Sequence, residues 1–158
     1  MEKRLSLDEL NNVSEIDIVY KKKINCRVSE RPQINTSHNA YEIFLHYWNT
    51  DKIELVEEFK VLFLNRSGRV LQLIAVSQGG ITGTVADHRL ILAVALKLAS
   101  CVIVLCHNHP SGNLKPSPSD EELTQKIKGA AALHDIRNMD HIIITNEGYY
   151  SFADEGLL

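Results

Sequence analysis

The stretch HNHPSGNLKPSPSD, residues 107–120, follows directly on the apolar run Cys101-Val102-Ile103-Val104-Leu105-Cys106. Side chains alternate on an extended backbone, so His107 and His109 point the same way while Asn108 points the other. Their two imidazoles can therefore share one metal ion. A Pro/Ser/Gly loop then leads to a helix start, with Ser117 as N-cap, Pro118 at the first helical position and Asp120 three residues after the cap. A loop this compact can return the Asp120 carboxylate to the strand end, where open α/β sheets place their sites. Two nitrogens and one carboxylate leave a coordination position for water, as in catalytic zinc sites; structural sites close all four positions with Cys or His. Zinc so held lowers the pKa of its water to about 7 and polarises a carbonyl oxygen. Amide hydrolysis suits that chemistry best, provided a general base stands near the water.

Each of these residues also has an ordinary use. A histidine at a strand end can simply hydrogen-bond, Ser117 can simply cap, and the helix dipole favours Asp120, Glu121 and Glu122 in a first turn. The combination of two same-side histidines and a pre-positioned acid is what points to metal. The same ligand set describes the non-haem iron triad, which leaves several positions open for oxygen chemistry. Two histidines on one strand are not the helix-and-hairpin arrangement of the nucleases that share the letters HNH. The H-x-E and P-C-x-x-C strings that zinc deaminases need do not occur.

The elements that must position these residues follow from periodicity. Tyr41, Phe44, Leu45 and Trp48 form the stripe of a core-facing helix capped at Ser37 or Asn39. Phe59 to Leu64 and Val70 to Val76 read as strands of a hairpin, joined by an NRSG turn with Gly68 at the position that wants positive φ. After the glycine-rich SQGGITGT loop, a capping box from Thr84 to Asp87 opens a helix carrying Leu90, Ile91, Val94, Ala95 and Leu98 on its core face. Cys101 to Cys106 is apolar at every position and reads as a central strand covered on both faces. The helix from Ser117 buries Leu123, Ile127 and Ala130. DHIIIT, an NEG turn and YYSF close the chain as a second hairpin. The sum is one α/β domain over residues 37–158 with a mixed sheet, preceded by an N-terminal arm, residues 1–36, with a short strand around Val13, Ile16, Ile18 and Tyr20.

Bulk composition is compatible with this and narrows the class. The chain has 158 residues, 44% hydrophobic and 23% charged, which suits one globular domain. No apolar run approaches the ~18 residues of a membrane span, and MEKRLSLDEL lacks the apolar core of a secretory signal, so a cytoplasmic protein is expected. Cys26, Cys101 and Cys106 have no CxxC spacing and read as structural, the last two as buried members of the strand. A net charge of −3 argues against a protein wrapped in nucleic acid. The local exception is Lys21, Lys22, Lys23, Arg27 and Arg31 against Glu30 alone, a solvated basic arm or a contact for an anionic partner.

The string HNHPSGNLKPSPSD resembles the metal motif of the JAMM (MPN-plus) metalloprotease superfamily, H-x-H-P-x6-S-x2-D, at His107, His109, Pro110, Ser117 and Asp120. With DHIII and the terminal YYSFADEGLL, the chain from about Tyr41 to Leu158 is similar to the RadC family. The resemblance implies the JAMM/MPN architecture, related to that of cytidine deaminases: a mixed α/β sheet sandwiched between helices. It implies a zinc ion held by His107, His109 and Asp120, and a Ser117 hydroxyl that stabilises the oxyanion. It places the base on a glutamate at the start of the first hairpin, where VEEF supplies two. In extended backbone Glu57 and Glu58 face opposite sides, so at most one reaches the metal water; alignment on Phe59 favours Glu57, with Glu58 the alternative. The activity implied is that of a zinc-dependent metallopeptidase or isopeptidase acting on a peptide or protein. RadC proteins carry a DNA repair label, and longer members begin with a helix-hairpin-helix-like region that residues 1–36 are too short to hold. The competing expectation is a non-catalytic or nuclease-like accessory protein in DNA repair.

Overall fold

The computed structural model describes residue 6, residues 26–79 and residues 86–158. The expected strand around Val13 to Tyr20, the Lys21-Lys22-Lys23 run and the expected cap Thr84 lie outside the described residues. In chain order the described elements are α1 (Ser37–His46), β1 (Glu58–Leu64), β2 (Val70–Gln78), α2 (His88–Lys97), β3 (Val102–Asn108), α3 (Pro118–Ala132), β4 (Arg137–Thr145) and β5 (Gly148–Ser151). The strands form one sheet in the order β2-β1-β3-β4-β5. The β3/β4 pair is parallel and the other three pairs are antiparallel, so the sheet is mixed, as the alternation of elements predicts.

Strand parity divides the core in two. Leu62, Leu64, Val102, Val104, Cys106, Ile142 and Ile144 face α1 through Ala40 and Phe44. Phe59, Val61, Phe63, Ile103 and Leu105 face α2 and α3 through Ile91, Ala95, Ile127 and Ala131. Full burial of each such large side chain contributes roughly 1.5–3 kcal/mol. All seven residues of β3 are buried, because it is central and both of its faces are covered.

Several boundaries differ from expectation for local reasons. Thr36, not Ser37 or Asn39, caps α1, its hydroxyl accepting from the Asn39 N–H at 3.2 Å. Asp87 caps α2 by accepting from the Arg89 N–H at 2.9 Å, so that helix starts at His88 and leaves Leu90 47% exposed. Cys101 precedes β3 and is exposed, unlike buried Cys106. The predicted first turn is present: the Asn65 side chain accepts from the N–H groups of Ser67 and Arg69, both at 3.0 Å. Gly68 is required there, at φ +72° and with the Ile34 carbonyl 2.8 Å from where a Cβ would stand. Val28–Glu30 is a single 3-10 turn and the Arg31 side chain is buried, so Arg31 is not part of a solvated basic face.

β3 extends two residues beyond the apolar run, and its last residue anchors the neighbouring turn. Asn108, fully buried, donates to the carbonyls of Ile53 at 2.6 Å and Val56 at 2.9 Å, and accepts from the Glu58 N–H at 2.7 Å. Removing that side chain strands two carbonyls and one N–H. Asn108→Ala should lower unfolding free energy by about 2–4 kcal/mol, measured by urea denaturation; a loss below about 0.5 kcal/mol would contradict this anchoring role.

Candidate metal centre

His107 enters the site from the end of β3, on the face that α3 covers, and is 1% exposed. His109 follows one residue after the strand, with its N–H bonded to the Ile144 carbonyl at 3.1 Å. The two rings turn to the same side, as alternation predicts, with Nε2 atoms 2.9 Å apart. Gly112, at φ +76°, closes the tight turn after His109 through its N–H to the His109 carbonyl at 3.0 Å. The chain then reaches α3, which begins as its sequence dictates: Ser117 is the N-cap, Pro118 opens the helix and Asp120 completes a capping box. Asp120 Oδ1 lies 3.3 Å from His107 Nε2, and Asp120 Oδ2 lies 3.5 Å from His109 Nε2. Among the described residues, this is the one group of three such side chains able to hold a metal ion, with ligand atoms all within 4.8 Å of one another.

The donor set fits a small divalent ion. Metal–ligand bonds of about 2.0–2.2 Å in a tetrahedron place neighbouring ligand atoms about 3.3–3.5 Å apart. Each imidazole nitrogen has one Asp120 oxygen at about that distance, Oδ1 for His107 and Oδ2 for His109, and the shorter edge between the rings is a hydrogen-bond distance.

The two glutamates at the entrance to β1 part company. Glu58 turns to the α1 face, where it pairs with Lys60 at 2.9 Å; the Lys60 ammonium also lies 4.0 Å from the centre of the Trp48 ring. Glu57, of opposite parity, lines an open cleft together with His109, Lys115 and Ser117. Its position is held through the backbone. Asn108 binds the residues on either side of it, and the Glu57 carbonyl accepts from the Gly79 N–H at 2.8 Å. The Ser117 hydroxyl donates to Asp120 Oδ2 at 2.6 Å and accepts from the Asp120 N–H at 3.2 Å, so in this structure it orients the carboxylate as well as capping the helix.

Comparison with known proteins accords with this arrangement. Residues 34–157 match the family model described as a RadC-like JAB domain. The chain belongs to the RadC family. A UPF0758 protein of Flavobacterium johnsoniae is 50% identical over 101 residues, covering 64% of this chain and 44% of the relative. Those of Porphyromonas gingivalis (48% over 103 residues, 65% and 45%) and Haemophilus ducreyi (40% over 123 residues, 77% and 53%) are similar in the same way. The chain spans about half the length of the curated relatives it matches. The mixed sheet between helices is the architecture of this RadC-like JAB domain. No helix among the described residues is long and apolar enough to cross a membrane.

Electrostatics in the JAB domain favour an ionised acid between basic rings. Partial burial works against the charge on Asp120, but the two imidazoles beside it and the hydrogen bond from Ser117 outweigh it and hold the carboxyl far below the usual range. Burial likewise opposes protonation of His109. Hydrogen bonds to the Asp120 carboxylate and the Asn113 carbonyl, with the nearby charges of Asp120 and Glu57, prevail and raise its pKa. Next to these sit three residues that sequence reasoning did not single out. His141 on β4 and Thr124 on α3 are both fully buried, with His141 Nε2 2.8 Å from His107 Nδ1. Burial and the neighbouring His107 push the His141 pKa well below that of a free imidazole, so the ring is neutral. The third is Asn108. Its signal was a polar residue between two inward histidines on a strand with both faces covered, and that of Thr124 was a polar residue on the core stripe of α3.

A proton and a metal ion compete for the same lone pair on His109. Because its pKa is raised, that competition begins above the ordinary histidine value of about 6.5. Affinity for a divalent probe such as Zn2+ should be full at alkaline pH and should already be falling above the ordinary histidine range as the pH is lowered. Chelator competition at each pH measures it, and a flat profile would contradict the raised value.

Proposed function

We propose that the chain is a zinc-dependent amide hydrolase of the metallopeptidase or isopeptidase type, acting on a peptide or protein. The observation that carries this reading is the convergence of His107, His109 and Asp120, with His109 lining an open cleft that Glu57 and Ser117 also line. His107 and His109 would hold the ion through Nε2, and Asp120, kept ionised by its neighbours, would complete the set. A zinc ion bound there would polarise the substrate carbonyl and acidify a water molecule.

The remaining work belongs to side chains of this protein. The Glu57 carboxylate takes the proton of the attacking water and delivers it to the departing amide nitrogen, the task of a general base that then serves as acid. Glu58 is committed to Lys60 on the opposite face, which favours Glu57 for this role. The Ser117 hydroxyl turns from Asp120 Oδ2 to donate to the developing oxyanion, and Asp120 keeps the Ser117 N–H at 2.7 Å as a partner.

Purified without chelator, the protein should carry about one zinc ion per chain, and His107→Ala should abolish it. Against a panel of peptide and isopeptide-linked substrates, Glu57→Gln should lower the rate about 100-fold or more with metal retained. Absence of stoichiometric metal in the wild type would remove the hydrolase reading, and an unchanged Glu57→Gln rate would move the base elsewhere. Cleavage of DNA with peptides spared, or salt-dependent duplex binding without hydrolysis, would favour the accessory role in DNA metabolism.

A further inference from the structure

His141 and Thr124 have no part in the chemistry just described, yet both are polar and 0% exposed. They lie in one unbroken chain of contacts. The Asp120 carbonyl is 2.5 Å from Thr124 Oγ1, which is 2.6 Å from His141 Nδ1; His141 Nε2 is 2.8 Å from His107 Nδ1. One order of hydrogens runs through this chain from Asp120 to His107. A carbonyl oxygen accepts and cannot donate, so the single hydroxyl hydrogen of Thr124 goes to Asp120. The Thr124 oxygen then accepts the N–H of His141 Nδ1. His141 is fully buried and its two nitrogens face a hydroxyl and an imidazole rather than a carboxylate, so it holds one hydrogen, on Nδ1, and its Nε2 accepts from His107 Nδ1. When His107 serves as a metal ligand it holds only that one hydrogen, which leaves a bare lone pair on Nε2, the atom that faces Asp120 and His109.

We propose that Thr124 and His141 are positioning residues: a hydrogen-bond relay that fixes His107 in its Nδ1–H tautomer and aims Nε2 at the ion. The inference rests on the metal reading above. His109 receives the same instruction more simply, by donating from Nδ1 to the Asn113 carbonyl at 2.6 Å. The relay adds a mechanical link, because it starts on the backbone of Asp120 and ends on the ring of His107. Two ligands from different elements are thereby tied together behind the site. Stacking holds the relay rings in plane: His107 lies on Phe59 with planes 5° apart, and His141 lies on Phe152 with planes 16° apart. Reversal of the hydrogen order would put a hydrogen on His107 Nε2 and remove it as a ligand.

The test uses Zn2+ affinity of the full chain, by competition with a chromophoric chelator, and 15N spectra of the zinc-loaded protein with labelled histidines. His107 should bind through Nε2 and carry its hydrogen on Nδ1. Thr124→Val and His141→Phe should each weaken binding about 10–100-fold, while Thr124→Ser, which keeps the hydroxyl, should stay within about 3-fold of wild type. Coordination through His107 Nδ1, or folded Thr124→Val and His141→Phe proteins with wild-type affinity, overturns the relay and leaves the metal reading standing. A wild-type chain that binds no Zn2+ overturns the metal reading and the relay with it. The wild-type spectrum needs no substitution, so the outcome does not depend on either variant folding.

Discussion

The Asp120 carboxylate answers to two structures at once. As the third residue of α3 it accepts from the Ser117 N–H and hydroxyl and so completes the cap of that helix. As the partner of His107 and His109 it docks the start of the helix onto the end of β3. The geometry of the cap therefore sets the geometry of the candidate metal centre, since any tilt of α3 would carry the carboxylate with it. The arrangement is electrostatically consistent: the positive end of the helix dipole and two basic rings surround one ionised acid.

The two faces of the sheet divide the labour. His107, His141 and Phe59 lie on the face covered by α2 and α3, and their rings pack against one another. On the α1 face Asn108 ties down the turn before β1, and Glu58 neutralises the buried Lys60. Adjacent residues thus do unrelated things because a strand sends them in opposite directions. His107 meets the candidate ion site while Asn108, one residue on, grips the backbone that carries Glu57. The ligand strand and the proposed base are coupled through the sheet without direct contact between their side chains being needed.

Much of this was legible beforehand because it is local. The alternation that puts His107 and His109 on one side, the cap that puts Asp120 in the first turn of α3, and the turn at Gly68 each depend on a few neighbouring residues. Where local signals competed, tertiary packing chose between them. Thr36 displaced Ser37 and Asn39 as cap of α1, and Asp87 took the cap of α2, because several residues in each segment can accept the same N–H. Cys101 was drawn into a strand that begins one residue later, since an apolar run carries no mark of where pairing starts.

The amino-acid sequence by itself determined the family, the mixed α/β class and the identity of the three candidate ligands. The family follows from the resemblance that the motif at residues 107–120 and the C-terminal stretch carry, and the class and the candidate ligands follow from spacing and periodicity within about a helical turn or a short strand. Only the tertiary structure decided that Glu58 belongs to Lys60, that Glu57 reaches the cleft, and that His141 and Thr124 stand behind His107. Except for the Glu58–Lys60 pair, which shares one strand, those meetings join different elements of the chain. They depend on strand register and helix packing, which no local pattern encodes.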